Sequence, residues 1–427
     1  MNYAFQTFGC RLNRAEALEQ EASVIAAGHS VVPVGPDANV IVVRGCSVTA
    51  RAQHDCEKVI KALKLQYPWA QVVVTGCYPG VRGRVLPGVL SRPAPEGTVP
   101  MRTARAYLKA QDGCSRKCAF CTVPHYRGEP RSEPLDKVLA RAKAFIAAGY
   151  HEIVLTGCNL SLYRDSGTDL GGLLSALAEL PSSGHRVRLG SLEPGLCDDS
   201  VLEAFASHDN ICKFLHLCVQ SGSNRILAAM KRTYTVEDIT DTVRKAKLAL
   251  PGIAIGADMI AGFPGESEED FNLSKELLVR LSIVNAHVFP FSERPGTEAA
   301  VMPDQVPRET RHERARALNA AAMTSRREYA ALFRGQTVDV CIETDLTAPR
   351  HHHKHHHHHH HHHGEPGSPD RGRIVPRSHI DDGALCAGWT SEYLPCRITD
   401  RFAPRRQLVK VRVSNVEGDI LRGVIVQ

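Results

Sequence analysis

The chain has 427 residues, with 52 Lys and Arg against 46 Asp and Glu, for a net charge of +6. Hydrophobic residues make up 43% and charged residues 23%, which excludes a disordered or collagen-like chain and fits about three packed domains at roughly 150 residues each. No apolar run approaches the roughly 20 residues of a membrane span, and Met1–Phe5 lacks a basic patch followed by an apolar stretch, so neither a membrane partner nor a secretory leader is expected and the setting reads as cytoplasmic.

The first 80 residues alternate strand and helix patterns: strands at Tyr3–Thr7, Val40–Val43 and Gln71–Thr75, helices at Arg14–Ala27 and Ala50–Gln66. Strands of buried type between helices predict an α/β domain with a doubly wound parallel sheet over 1–80. Residues 81–103 are rich in Pro, Gly and Arg without periodicity and read as a linker. From 104 to 304 the alternation resumes. Strands are expected at Tyr107–Gln111, Glu152–Thr156, Val187–Ser191, Phe214–Val219, Ile253–Ile260 and His287–Phe291. Helices are expected at Pro134–Ala148, Leu170–Glu179, Ser200–Ala206, Thr235–Leu248 and Glu268–Leu281. Six such units predict a partial (β/α)6 barrel, with chemistry at the C-terminal strand ends.

Residues 305–334 read as one connecting helix, with seven Arg against three Glu over Val306–Arg334. That charge is either a solvated face or an RNA-facing surface. From 335 to 427 the pattern turns to short strands, at Thr337–Glu343, Glu392–Thr399, Gln407–Val413 and Ile420–Val426, which suits a small β-barrel of the oligonucleotide-binding sort. A tract over His351–His363, inside an insertion of about 347–378, holds 12 of the 22 His. Such a tract cannot bury a core and is expected to be a disordered loop.

In a chain this long the 14 cysteines are not needed as staples, and in a reducing compartment those at regular spacings read as metal ligands or catalytic groups. Cys114, Cys118 and Cys121 lie within eight residues, so one short loop can wrap them around a 4Fe-4S cube. Three thiolates leave one iron open to an exogenous ligand. Tetrahedral zinc is the rival, although no second Cys or His pair follows at zinc-finger distance. Cys10, Cys46 and Cys77 are far apart, yet each follows a Gly and sits just past an expected strand. In a parallel sheet those strand ends share one edge, so the three thiols converge where such folds bind ligands. Cys158, Cys197, Cys212 and Cys218 lie on apolar runs and read as core, while Cys56, Cys341, Cys386 and Cys396 have no cluster spacing.

The Cys-x3-Cys-x2-Cys loop, with Phe120 before its last Cys, resembles that of the radical S-adenosylmethionine (SAM) superfamily. With Cys10, Cys46 and Cys77 the resemblance narrows to the radical SAM methylthiotransferases, and it spans nearly the whole chain. Gln6–Asn13 resembles the family opening. Leu155–Gly157, Ser191–Pro194, Val219–Ser223 and Ala257–Glu266 resemble its barrel motifs, and the β tail resembles its RNA-gripping TRAM domain. His287–Thr297 is most similar to the branch acting on N6-threonylcarbamoyladenosine in tRNA. The chain departs from the family pattern at Arg44–Gly45–Cys46, where Asn-Thr-Cys is usual, and in its His-rich insertion.

The resemblance implies two 4Fe-4S clusters and SAM, with Cys114, Cys118 and Cys121 at the catalytic cluster and Cys10, Cys46 and Cys77 at an auxiliary one. It also implies tRNA as a partner, an electron donor such as flavodoxin or ferredoxin, and a sulfur donor. An adenine C–H bond is too weakly acidic for ordinary bases, so hydrogen abstraction is the expected route. One SAM would serve that step and a second would methylate sulfur. By position at barrel strand ends, Thr156, Gly157, Glu193, Gln220 and Asp258 are expected SAM contacts, along with Phe120. RNA contact is expected to be mostly electrostatic, through the basic run over 102–131 (Arg102, Arg105, Lys109, Arg116, Lys117, Arg127 and Arg131) and through Arg405, Arg406, Lys410 and Arg412 of the tail. The expected reaction is transfer of a methylthio group to C2 of that adenosine at tRNA position 37. Isopentenyladenosine in tRNA or a ribosomal-protein aspartate are the alternative substrates. A non-catalytic zinc or Fe-S RNA-binding protein is the alternative of a different class.

Overall fold

The computed structural model describes residues 1–46, 48–78, 86–89, 98–100, 103–182, 184–345, 384–400 and 403–426. The His-rich tract, most of the expected linker, and Arg102 lie outside the described residues.

The N-terminal unit runs β1 (Asn2–Thr7), α1 (Arg11–Ala26), β2 (Ser30–Val31), β3 (Val40–Gly45), α2 (Ala50–Gln66) and β4 (Gln71–Gly76). Its sheet has the order β2-β1-β3-β4 and is parallel throughout. Every residue of β3 is buried, because both faces of the strand are covered. Val40 and Val42 pack with Tyr3, Phe5 and Val24 of α1 on one face, and Ile41 and Val43 pack with Cys56 and Leu63 of α2 on the other. The doubly wound expectation holds, and the two-residue β2 was too short to show a pattern. Leu86 and Val89 join the core on the α1 side, so this unit extends past residue 80 into the stretch expected to be linker.

The central unit begins with β5 (Ala106–Lys109) and β6 (Gln111–Asp112), then α3 (Val123–Arg127), β7 (Arg131–Ser132), α4 (Leu135–Ala147) and β8 (Glu152–Thr156). It continues through α5 (Leu170–Ala178), β9 (Arg186–Arg188), β10 (Ser191–Leu192), α6 (Asp199–Ser207), β11 (Phe214–Gln220), α7 (Asn224–Ala229), α8 (Val236–Ala249), β12 (Ala254–Ala261), α9 (Glu268–Arg280) and β13 (Asn285–Pro290). Two parallel sheets, β5-β8-β9 and β10-β11-β12-β13, meet where one expected strand is broken at Leu189–Gly190. A Cβ at Gly190 would lie 2.9 Å from the Leu155 carbonyl oxygen, so the break is a close backbone approach that only glycine permits. Counted with that break, the six expected strand positions form a partial barrel. The antiparallel pair β6–β7 was not expected, and it brackets the cysteine loop.

The last unit follows α10 (Arg308–Ala331) and is a closed barrel of β14 (Thr337–Asp345), β15 (Cys386–Thr390), β16 (Pro395–Ile398), β17 (Leu408–Glu417) and β18 (Ile420–Ile425), in the order β14-β15-β16-β18-β17. Strand β15 escaped the sequence pattern: all five of its residues are buried, so it shows no polar alternation. Asp345 pairs with Cys386 in the β14–β15 ladder, so the chain leaves and re-enters this barrel at adjacent points around the His-rich insertion.

The units interlock. Ala15 and Leu18 of α1 belong to the same core cluster as Ala106 and Leu108 of β5. At the opposite end of the partial barrel, Trp389 and Tyr393 stack and pack with Phe214, Ala254 and Val284 at the strand beginnings. Arg186 donates to the carbonyls of Asp339 and Trp389, and Arg188 to those of Thr390 and Ser391. Both arginines also pair with the fully buried Glu152. Their charges hold that carboxyl far below the usual range although burial alone would raise it. The small barrel is therefore the floor of the larger one. Among the described residues no helix is long and apolar enough to cross a membrane.

Candidate cluster site: two cysteine trios

Cys10 caps α1, Cys46 follows β3 and Cys77 follows β4, so three parallel strand ends deliver three thiols to one edge. Gly9 has φ +88°, and a Cβ there would fall 2.7 Å from Cys46 Sγ, so the glycine before Cys10 leaves room for the neighbouring thiol. Asn13, fully buried, donates to the carbonyls of Phe8 at 2.9 Å and Gly45 at 2.8 Å and ties the two loops together. Burial, with the neighbouring Cys10 and Cys77 adding to it, pushes the Cys46 thiol up to about 12. Burial pushes Cys77 to about 11 against the lowering influence of Arg127.

The second trio occupies the loop between β6 and α3. Its backbone is pinned to the barrel: Cys114 N–H donates to Gly128 O (3.0 Å), Ala119 N–H to Met230 O (3.1 Å), and Ala299 N–H to Ala119 O (2.8 Å). Each sulfur accepts a hydrogen bond. Arg116 N–H lies 3.4 Å from Cys114 Sγ, Arg232 Nη1 lies 2.8 Å from Cys118 Sγ, and Val123 N–H lies 3.4 Å from Cys121 Sγ. Burial, with Cys118 and Cys114 adding, pushes Cys121 to about 12.

In both trios, buried thiols raise one another's pKa, a tendency that a cation among them reverses, because coordinating thiols are deprotonated. The N–H donors on the sulfurs of the second trio are the kind that tune iron–sulfur clusters. On donor chemistry both sets fit an Fe-S cube held by three thiolates.

Arg127 joins the two sets. It sits on α3, just past Cys121, and all five of its guanidinium N–H groups find acceptors. Nε donates to Cys77 Sγ at 2.9 Å, Nη1 to Glu16 Oε1 (2.8 Å) and Asp112 Oδ1 (2.9 Å), and Nη2 to Glu16 Oε2 (3.1 Å) and Asn13 Oδ1 (3.3 Å). Burial raises the Glu16 carboxyl, but Arg127, Arg44 and Lys109 outweigh it and bring it down to about 2.

The expected SAM-contact residues divide. Glu193 is buried beside the cysteine loop: Arg116 Nε lies 3.1 Å away, Asn159 Nδ2 3.0 Å, Thr233 Oγ1 3.3 Å and Arg232 Nη2 3.5 Å. Thr156 ends β8, its carbonyl accepting from Ala110 N–H, and a Cβ at Gly157 would stand a tight 3.0 Å from Gln111 and Leu160. Gln220 ends β11 with φ +67°. Phe120 packs edge-on against Phe263. Asp258 lies lower in the barrel, with His216 Nε2 at 3.0 Å, His287 Nδ1 at 3.2 Å and Cys218 Sγ at 3.8 Å. Its carboxylate is occupied by side chains rather than turned to the loop.

The basic run over 102–131 is largely committed to internal pairing. Arg105 pairs with Glu343 and Glu152, Lys109 with Glu19, Glu16 and Glu133, Arg116 with Glu193, and Arg127 with Glu16 and Asp112. Lys117 is exposed. On α10, Arg311, Arg314 and Arg326 are buried in pairs with Glu293, with Glu266 and Glu268, and with Asp419, so the helix bolts barrel to barrel. Arg308, Arg316, Arg327 and Arg334 remain exposed. In the tail, Arg406 donates to Thr103 O and lies over the Tyr150 ring, which turns it toward the central barrel. Lys410 and Arg412 are exposed, Lys410 beside Asp339.

Sequence reading missed the supporting residues Asn13, Glu16, Asn159, Thr233 and Arg232. Arg127 and Arg116 were noticed only as positive charge. Nothing in the local sequence announces a partner 50 or more positions away. The one available signal was the position of Arg127, just past the cysteine loop and before Gly128.

Comparison with known proteins adds the lineage. The Radical SAM superfamily profile matches residues 108–278, and one described as Uncharacterized protein family UPF0004 matches residues 2–89. The chain is 34% identical to the threonylcarbamoyladenosine tRNA methylthiotransferase MtaB of Bacillus subtilis, over 80% of this chain and 84% of that protein. It is 33% identical to the Aquifex aeolicus protein of the same name, over 77% and 90%. It is also 32% identical to the tRNA-2-methylthio-N(6)-dimethylallyladenosine synthase of Chlorobium limicola, over 80% and 87%. Among solved structures, the radical SAM methyltransferase TsrM of Kitasatospora setae shares the fold, with a TM-score of 0.50 at 12% identity over 82% of this chain and 79% of that one. One cysteine trio on the partial barrel, a second at the strand ends of the N-terminal sheet, and relatives this similar along most of their length make the chain a member of the radical SAM methylthiotransferase family.

Proposed function

We propose that this enzyme transfers a methylthio group to C2 of N6-threonylcarbamoyladenosine at position 37 of tRNA, using SAM and two 4Fe-4S clusters, one on Cys114, Cys118 and Cys121 and an auxiliary one on Cys10, Cys46 and Cys77. The observation that carries the chemistry is Arg127, rooted beside the barrel trio and bonded to Cys77 of the other: two cysteine sets so joined serve one chamber. When bound, the barrel cluster and SAM supply the carbon radical that side chains cannot.

The chain's own residues do the rest. Arg232 and the loop N–H groups hold the barrel sulfurs. Glu193, clamped by Arg116, Asn159 and Thr233, fixes the loop against the strand ends where Phe120, Thr156, Gly157 and Gln220 meet SAM. Exposed Lys410 and Arg412 offer charge to RNA phosphates, while Arg406 positions the domain that carries them. An electron donor such as flavodoxin or ferredoxin and a sulfur donor complete the cycle.

The His287–Thr297 motif and the names of the Bacillus and Aquifex relatives favour the threonylcarbamoyl substrate over the isopentenyl one. Mass spectrometry of tRNA nucleosides with and without the gene tests this. The 2-methylthio form of the threonylcarbamoyl nucleoside should vanish in the deletion strain; loss of the isopentenyl product instead would overturn the substrate assignment.

A further inference from the structure

Below the cysteine loop, strands β11–β13 turn His216, Cys218, Asp258 and His287 into the barrel, while Leu217, Ala257 and Val288 face the helices. None of the inward four is aliphatic. Both imidazoles address one oxygen of Asp258, with ring centroids 4.8 Å apart, and Cys218 addresses the other oxygen. His216 is 1% exposed; its Nε2 lies 3.0 Å from Asp258 Oδ1, and its Nδ1 has no hydrogen-bond partner among the described residues. A buried polar group left in this way is costly until something satisfies it. Arg11, next to Cys10, reaches toward the same interior, 3.5 Å from the Tyr393 hydroxyl, and its charge is felt at His216.

We infer that His216, Asp258 and His287 form the subsite that reads the N6 substituent of the substrate adenosine, and that it selects a polar, carboxylate-bearing group over an aliphatic one. This rests on the substrate reading above and assigns it to residues. The threonylcarbamoyl group offers ureido N–H groups, a hydroxyl and a carboxylate, which imidazole nitrogens and a carboxylate can match. Hydrogen bonding of His287 Nδ1 to Asp258 leaves His287 Nε2 to face the substrate. An isopentenyl group would leave these groups unpaired, and a site built to hydrogen-bond its ligand rejects such analogues.

The test compares the binding of anticodon hairpins carrying threonylcarbamoyl-, isopentenyl- or unmodified adenosine at position 37 to the anaerobic full-length protein. Wild type should favour the threonylcarbamoyl hairpin. His287→Asn keeps an amide near the Nδ1 position but loses the outer nitrogen, and should lower that preference about 10-fold or more. His287→Gln restores a nitrogen near the Nε2 position and should keep most of it. A folding defect would weaken all hairpins together, so the ratio is the readout. Equal preference in wild type and His287→Asn would overturn the subsite while leaving the substrate reading intact. A wild-type preference for the isopentenyl hairpin would instead overturn the substrate reading itself.

Discussion

Replacing Arg127 with Met strips five hydrogen-bond donors from the seam between the N-terminal unit and the barrel while keeping the unbranched stem. Glu16 and Asp112, both mostly buried, then lose their shared partner. The Glu16 carboxyl stands at about 2 against an ordinary 4.5. At about 1.4 kcal/mol per pKa unit that gap is worth roughly 3 kcal/mol, which Arg127 shares with Arg44 and Lys109. Removing one partner of a buried pair costs about 3–5 kcal/mol, and because Arg44 and Lys109 stay beside Glu16, about 2–3 kcal/mol is expected for this variant. Because the folded-state pKa is depressed, this stability is fully present above about pH 4.5 and is lost as pH falls toward about 2. At pH 7, hydrogen exchange in peptides covering 11–26 and 106–112 should quicken about 30-fold or more, with the C-terminal barrel unchanged. The gap between variant and wild type should close in acid. Exchange at the seam within twofold of wild type at pH 7 would refute the latch.

Cys118→Ala should abolish reductive SAM cleavage with the fold retained, as read by 5′-deoxyadenosine release and circular dichroism. For Cys46→Ala, SAM cleavage should continue without methylthio product if the N-terminal trio holds an auxiliary cluster; normal product would count against such a cluster. Gly113→Ala should lower iron incorporation, since φ is +71° there and a Cβ would meet the Glu129 carbonyl oxygen at 2.0 Å, displacing the start of the cysteine loop. Iron content per chain after anaerobic reconstitution measures it.

The parallel strands and both trios could be read from the sequence because each rests on local evidence: unbroken Val and Ile runs, three Gly-Cys pairs just past strands, and one tight Cys-x3-Cys-x2-Cys loop. Strand β15 could not, because burial on both faces erased the alternation that marks β17 of the same barrel. The basic stretches misled for a different reason. Net charge in a segment says nothing about partners, and Glu16, Glu152 and Glu193 are recruited from other parts of the chain to neutralise Arg127, Arg105 and Arg116. Asp258 was visible as a strand-end carboxylate, but its two imidazole neighbours come from the flanking strands and became apparent only with the register.

The stacked pair Trp389–Tyr393 sits at the base of the larger barrel yet is encoded well over 100 residues after the loop that would carry the radical chemistry. During synthesis the cysteine loop therefore leaves the ribosome long before the base of its barrel is made. Until the late aromatic pair docks, Arg186, Arg188 and Phe214 lack the residues that cover them in the folded protein. The base of the larger barrel is thus completed only by the part of the chain that is made last.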